Sequence, residues 1–154
     1  IFEPTDSMNV EKPLTFSEFK VFIESKFPDN NIPLLFRFEG EFEAINYRSI
    51  PAQERPFPTL AEAVKHQTTF TREHVKGSLI GFRFPKYFNT MNLPGYHIHF
   101  IDEKRREGGH VLDVTVSKGK LSLAESFDFR LQLPRNVEAY RKTDMEPGHP
   151  PKKL

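Results

Sequence analysis

Apolar side chains recur at roughly helical spacing in two short segments of the chain. Residues 15–27 carry phenylalanine, valine and isoleucine at such positions, which predicts an amphipathic helix. Residues 60–67 predict a second, shorter helix, and both segments begin with a helix-capping pattern. The two capping pairs are Thr15 with Glu18 and Thr59 with Glu62. The pattern therefore predicts two short helices with defined starts.

Most of the remaining chain has the composition and alternation typical of β-strands. Glu39-Gly40-Glu41 separates two such runs and predicts a hairpin, whereas residues 4–13 predict a loop. The predicted strands cover residues 1–3, 34–38, 42–48, 70–84, 95–102, 110–116, 119–124 and 127–133. These elements predict an α+β fold that is predominantly antiparallel β with two short helices. We expect a β-rich sheet or barrel-like core to carry the functional site.

Length and composition predict a single domain. The chain has 154 residues, of which 37% are hydrophobic and 28% charged, as is usual for a globular domain with one core. No tandem repeat or internal linker divides it. We expect one domain over residues 1–134, followed by a polar tail over residues 135–154 that is rich in proline and charge.

Charge and cysteine content narrow the classes of partner. The 22 basic and 21 acidic residues leave a net charge of +1, which argues against nucleic acid and anionic membranes as partners. No apolar run approaches the roughly 20 residues that span a bilayer. The absence of cysteine excludes thiolate metal sites, so any metal must be held by histidine and carboxylates. The first residues are not a signal peptide, and we expect a cytoplasmic protein, with secretion left open.

Three histidines between residues 97 and 110 are the strongest candidates for metal binding. His97 and His99 lie in the predicted strand Gly95-Tyr-His-Ile-His-Phe-Ile-Asp102, where alternate residues share a face. If the following hairpin turns at Lys104-Arg105, His110 lies opposite His99 and diagonal to His97. Three imidazoles placed in this way could bind one zinc ion and leave a position open.

Spacing alone leaves alternatives to this metal site. A bulge at Gly108-Gly109 would turn His110 to the other face, and a histidine can equally be a hydrogen-bonded polar residue of the core. The other three histidines, His66, His74 and His149, have no such arrangement and are interpreted as surface residues.

Arg48 is the second candidate, because it ends a β-like run. Its side chain could lie at a sheet edge or at the mouth of a cavity, or it could be an ordinary surface arginine. The basic cluster Lys104-Arg105-Arg106 is interpreted as a solvated hairpin tip, since acidic residues surround it. The sequence contains no glycine-rich phosphate loop and no serine or cysteine nucleophile motif.

The histidine-containing segments resemble the zinc-binding signature of the α-acetolactate decarboxylases. The signature consists of Gly95-Tyr-His-Ile-His-Phe-Ile-Asp102 followed by Gly108-Gly-His-Val-Leu-Asp113. Six further stretches fit the same family in the same order: Phe38-Glu-Gly-Glu-Phe42, Tyr47-Arg-Ser-Ile50, Gln53-Glu-Arg-Pro56, Glu62-Ala-Val-Lys65, Gly77-Ser-Leu-Ile-Gly-Phe82 and Leu131-Gln-Leu-Pro134. The resemblance covers about residues 1–134.

The resemblance implies a function and a set of site residues. It assigns zinc to His97, His99 and His110, and it makes Arg48 the active-site arginine. The family converts 2-acetolactate to acetoin and carbon dioxide, on the route to 2,3-butanediol, and is usually a homodimer. It also has an N-terminal part and a C-terminal tail that each supply a glutamate. We expect the N-terminal part to be absent from this chain, and Glu138 and Glu146 are candidates for the tail glutamate.

Two other functions remain open from the sequence. The chain could be a non-catalytic zinc-binding remnant or assembly domain of the family, since two carboxylates are unmatched. It could also be a cupin-like metalloenzyme that acts on another small keto or hydroxy acid, because three-histidine sites on β-scaffolds serve more than one chemistry.

Overall fold

The computed structural model describes residues 2–55, 57–132 and 138. Its elements are the strands β1 (Asp6–Val10), β2 (Leu14–Thr15), β3 (Leu34–Ser49), β4 (Thr68–Phe84), β5 (Gly95–Asp102) and β6 (Gly108–Glu125), the helices α1 (Phe16–Lys26) and α2 (Leu60–Val64), and a 3-10 helix (Lys86–Thr90). The α+β class with two short helices is therefore confirmed. Both predicted capping boxes are formed, at Thr15 and at Thr59. Helix α2 ends earlier than predicted, at Val64.

The sheet is antiparallel throughout and closes on itself. Its strands run in the order β1-β6-β3-β4-β5, and β5 pairs in addition with β6. This last pairing joins the two ends of the path β6-β3-β4-β5 into a ring of four strands, which is the predicted barrel-like core. Strand β6 pairs with β3 along one edge and with β5, β2 and β1 in turn along the other.

One face of this ring forms the hydrophobic core, and phenylalanine dominates it. Phe38, Phe42 and Phe100 are almost fully buried and meet edge to face, with successive ring centroids 5.5 Å apart. Helix α1 covers one part of the core with Phe19 and Ile23, both 0% exposed. Large rings therefore fill the interior that alternate residues of each strand enclose.

The predicted breaks at Gly40 and between residues 116 and 119 are wrong. Strands β3 and β6 run without interruption through both points, and Gly40 pairs with Gly77 on one side and Gly119 on the other. A Cβ at Gly40 would lie 2.2 Å from the carbonyl oxygen of Lys118. Glycine is required here because neighbouring backbones approach closely, and no hairpin turn is involved.

Three other predictions for the chain ends are also wrong, the first being the strand over residues 1–3, since residues 2 and 3 are not in a strand. Residues 6–10 form strand β1 within the predicted loop, because their backbone pairs with residues 119–123 of β6. Residues 127–132 are not a strand. The predicted tail over residues 135–154 lies outside the described residues, apart from residue 138. Within the described part of the chain, the helices are all too short or too polar to cross a bilayer.

Candidate metal centre

Strand β5 presents His97 and His99 on the face opposite the core. Its intervening residues Ile98 and Phe100 are 2% and 4% exposed, whereas His97 is half-buried and His99 is exposed. This is the alternation expected from the sequence, and it follows from the side-chain period of a strand. The apolar residues fix the orientation of β5, and the two imidazoles are held on one side as a consequence.

His110 joins them through the β5–β6 hairpin. The structure pairs His99 with His110, Phe100 with Gly109 and Ile101 with Gly108, so the predicted register is present and no bulge turns His110 away. The ring centroids of the three histidines lie 4.9 to 5.4 Å apart. One nitrogen from each ring lies within 4.8 Å of the others.

The separation of two of the three donors fits a single tetrahedral metal ion. The Nε2 atoms of His97 and His99 lie 3.1 Å apart. Two nitrogens bound to one zinc ion at about 2.0–2.1 Å in tetrahedral geometry lie about 3.3 Å apart, which is close to this separation. A shared cation would therefore stabilise the close approach of these two ring nitrogens.

The electrostatic environment favours the neutral form of His99 and His110, which is the form that binds metals. Burial, the neighbouring His97 and the charge of Arg48 lower the pKa of His99. Burial also lowers the pKa of His110 to about 4, with further contributions from Arg48 and the other two histidines. At neutral pH both rings therefore have a lone pair available to a cation.

Arg48 lies next to the cluster on strand β3. It pairs with His110 in the β3–β6 register and with Thr69 in the β3–β4 register, so it lies inside the sheet and not at an edge. Its side chain is half-buried, and Nη1 donates a hydrogen bond of 2.6 Å to Oε1 of Gln67. The Nε atom is buried and has no partner in the described part of the chain. A positive, partly unsatisfied guanidinium therefore borders the three imidazoles.

Apolar side chains border the histidines on the β4 side. Phe82 pairs with His97 across β4 and β5, and the two ring centroids lie 5.1 Å apart. Ile80 pairs with His99 and is 58% exposed. Phe82 also lines an aromatic groove of about 370 Å³ that includes Phe84. The cluster is thus polar at its centre and apolar along one side.

The other candidate residues lie away from this cluster. His66 and His74 are exposed, as expected, and Lys104-Arg105-Arg106 forms an exposed turn in which Arg105 has a positive φ of 56°. A groove of about 750 Å³ is lined by Gly40, Gly77, Gly119 and charged residues, but by none of the three histidines nor Arg48. Glu138 is exposed, and His149 and Glu146 lie outside the described residues.

Sequence reasoning missed two neighbours of the site, Gln67 and Phe82. Gln67 was expected only as the end of a helix, and its contact with Arg48 depends on where α2 stops and β4 begins. Phe82 ends the stretch Gly77-Ser-Leu-Ile-Gly-Phe82, which resembles the family, but its place beside His97 follows from the β4–β5 register. The alternation of β4 could have placed Phe82 on a face, but not beside a particular histidine.

Comparisons with a family model and with individual proteins indicate the same family. The model of the alpha-acetolactate decarboxylase family matches residues 1–147. The alpha-acetolactate decarboxylase of Methanosarcina mazei is 40% identical over 139 residues, which are 90% of this chain and 48% of the relative. That of Brevibacillus brevis is 35% identical over 133 residues, which are 86% of this chain and 47% of the relative.

A solved structure agrees with the sequence matches. The crystal structure of alpha-acetolactate decarboxylase from Bacillus subtilis strain 168 superposes with a TM-score of 0.89 at 31% identity, covering 96% of this chain and 62% of that one. This chain therefore spans about half the length of the curated relatives it matches. From the family match over nearly its whole length, together with this fold, the chain belongs to the α-acetolactate decarboxylase family.

Proposed function

We propose that this chain forms the metal-binding part of an enzyme that decarboxylates 2-acetolactate to acetoin and carbon dioxide. The observation that carries the proposal is the convergence of three histidine nitrogens within 4.8 Å, on one face of the sheet beside Arg48. Membership of the family supports it, since the relatives bear the name of this activity. The acetoin would then be available for reduction to 2,3-butanediol, and we propose a homodimer as the assembly.

Zinc is the metal that we propose for His97, His99 and His110. Three nitrogen donors from the protein, with one position left for substrate, are typical of catalytic zinc sites. A divalent ion held there supplies Lewis-acid stabilisation of the negative charge that develops on the ketone oxygen of the substrate. The family resemblance implies that glutamates also take part in catalysis.

The reaction breaks the bond between the carboxylate carbon and C2 of acetolactate. The electron pair passes to the adjacent ketone and gives an enediolate, which then takes up a proton at carbon to form acetoin. Arg48 would bind the substrate carboxylate through a charge-assisted hydrogen bond and orient it before carbon dioxide leaves. A guanidinium is a poor proton donor, so a role in orientation and proton relay is favoured.

The apolar side of the cluster would contribute by excluding water. Phe82 and Ile80 border His97 and His99 and offer no hydrogen bonds from their side chains. Once a substrate covers this surface, the lower local dielectric would strengthen the interaction between Arg48 and the developing anion.

An assay of the natural polypeptide with zinc and racemic acetolactate tests the proposal. Acetoin and carbon dioxide formed in equal amounts would support it, and their absence from a protein with stoichiometric zinc would refute it. In that case the chain would be a non-catalytic zinc-binding or assembly domain. That second function is favoured by one observation: within the described residues, the metal-binding group contains no carboxylate. Turnover of other small keto or hydroxy acids alone would instead indicate a cupin-like activity.

A further inference from the structure

Gln67 lies in the short connection between α2 and β4, and its side chain contacts Arg48. Its Oε1 accepts the 2.6 Å hydrogen bond from Nη1 of Arg48, and both side chains are half-buried. Its backbone N–H donates to the carbonyl of Val64 at 3.1 Å. The next residue, Thr68, begins β4 and pairs with Ser49. Backbone contacts on both sides of Gln67 therefore hold the amide oxygen in a defined place.

Arg48 occupies a position between this amide and the histidine cluster. Gln67 lies towards the β4 side of Arg48, and His110 pairs with Arg48 on the β6 side. A long arginine side chain has many rotamers, and fixing it in one of them costs conformational entropy. The short hydrogen bond from Nη1 to Gln67 reduces the number of rotamers that Arg48 can adopt.

Gln67 can hold the guanidinium cation of Arg48 by a hydrogen bond without neutralising its charge. An amide oxygen accepts a hydrogen bond from the guanidinium and carries no net charge. A carboxylate at the same place would form an ion pair with Arg48, and the pair would attract an anionic substrate less strongly. A guanidinium has five N–H donors, so one bond to Gln67 leaves the others for a planar anion.

We propose that Gln67 is a positioning residue, whose amide oxygen holds the Arg48 guanidinium towards the histidine cluster and leaves its charge available to a substrate carboxylate. This inference rests on the proposed function for its consequence in turnover. Its geometric content, the ordering of Arg48 by Gln67, can be measured without turnover.

Two substitutions distinguish the effect of losing the hydrogen bond from the effect of adding a charge at residue 67. Gln67→Leu removes the acceptor at similar volume, and Gln67→Glu keeps an acceptor but adds a negative charge. The first readout is NMR of arginine Nε–H groups in the metal-free protein, with the Arg48 signal assigned from its loss in Arg48→Lys. We expect the heteronuclear NOE of that group to fall clearly in Gln67→Leu and to be kept in Gln67→Glu. An unchanged NOE in Gln67→Leu would overturn the proposal, even in a protein without decarboxylase activity.

The second readout is a double-mutant cycle on acetoin formation by the zinc-loaded protein. We expect Gln67→Leu to lower kcat/KM about tenfold, as loss of a hydrogen bond to a charged group does. The same substitution should have no further effect in an Arg48→Ala background, because Gln67 acts through Arg48. Gln67→Glu should raise KM more than it lowers kcat.

The outcomes of the cycle distinguish the two proposals. An equal loss of activity from Gln67→Leu in both backgrounds would show that Gln67 only stabilises the fold, and it would overturn the positioning role. A wild-type protein with bound zinc but no acetoin formation would refute the proposed function, and the NOE comparison would still decide whether Gln67 orders Arg48. Equal thermal unfolding midpoints for all variants establish that each is folded.

Discussion

Gly109 lies where β6 meets both β5 and β3, and substitution by alanine should disturb the metal centre. A Cβ at this position would lie 2.2 Å from the carbonyl oxygen of Arg48 and 3.2 Å from the ring of Tyr47. Carbon and oxygen in ordinary contact are about 3.4 Å apart, so the two strands must separate by about 1 Å. Because the clashing oxygen belongs to the backbone, a change of rotamer cannot relieve it.

The displacement should affect His110 more than the other two histidines. His110 follows Gly109 directly and pairs with Arg48, whose carbonyl is the clashing group, whereas His97 and His99 lie on β5 and pair with β4. A metal site tolerates errors of about 0.2 Å in its bond lengths, so a shift near 1 Å should weaken zinc binding by at least tenfold. Overpacking of this kind should also lower the free energy of unfolding by about 1–3 kcal/mol.

A competition titration with a chromophoric chelator would measure the zinc affinity of Gly109→Ala, and urea unfolding of the metal-free protein would measure its stability. Gly40→Ala is a matched control. Its Cβ would lie 2.2 Å from the carbonyl oxygen of Lys118, an equally severe clash far along β3 from Arg48. We expect the control to lose similar stability and to keep its zinc affinity. The reasoning is refuted if Gly109→Ala binds zinc like the wild type, or if both variants lose affinity equally.

Three further predictions follow from the site and the core. His97→Ala should weaken zinc binding more than about 100-fold, because losing a residue that only hydrogen-bonds to a metal ligand already weakens binding about 10- to 100-fold. Full zinc content by elemental analysis would show that His97 is not a ligand. Arg48→Ala should keep its metal and lose most of its acetoin formation, measured in the same zinc-loaded preparation, whereas loss of zinc would assign Arg48 a structural role. Phe19→Ala should lower the free energy of unfolding by about 3–5 kcal/mol in urea, because the ring is 0% exposed and packs against Phe36 and Phe38; a loss below 1 kcal/mol would contradict this packing.

The sequence predicted the parts of the fold that depend on local interactions. Both capping boxes start helices where expected, because Thr15 and Thr59 each exchange hydrogen bonds with a residue three positions later. The β5–β6 hairpin was also predictable, since alternation fixed the face of His97 and His99. The register that places His110 opposite His99 was one of two that the sequence allowed, and the structure has it. These features involve residues close to each other in the chain.

Long-range pairing explains what the sequence did not predict. Gly40 has the sequence character of a turn residue, yet glycine at this point allows two other strands to approach. Strand β1 forms in an apparent loop because β6 extends far enough to pair with it. The contact between Arg48 and Gln67 likewise depends on the β3–β4 register and the early end of α2, and neither has a local signal.

The closed ring has a consequence for how metal binding couples to stability. All three imidazoles belong to residues 97–110, a local hairpin whose formation closes only a short loop, whereas Arg48 arrives through the distant β3–β6 pairing. A chain in which this hairpin alone has formed already holds all three histidine ligands of the proposed cation. Because a ligand stabilises the native state only by the excess of its affinity over that for other states, zinc should protect the whole domain less than its affinity alone would suggest.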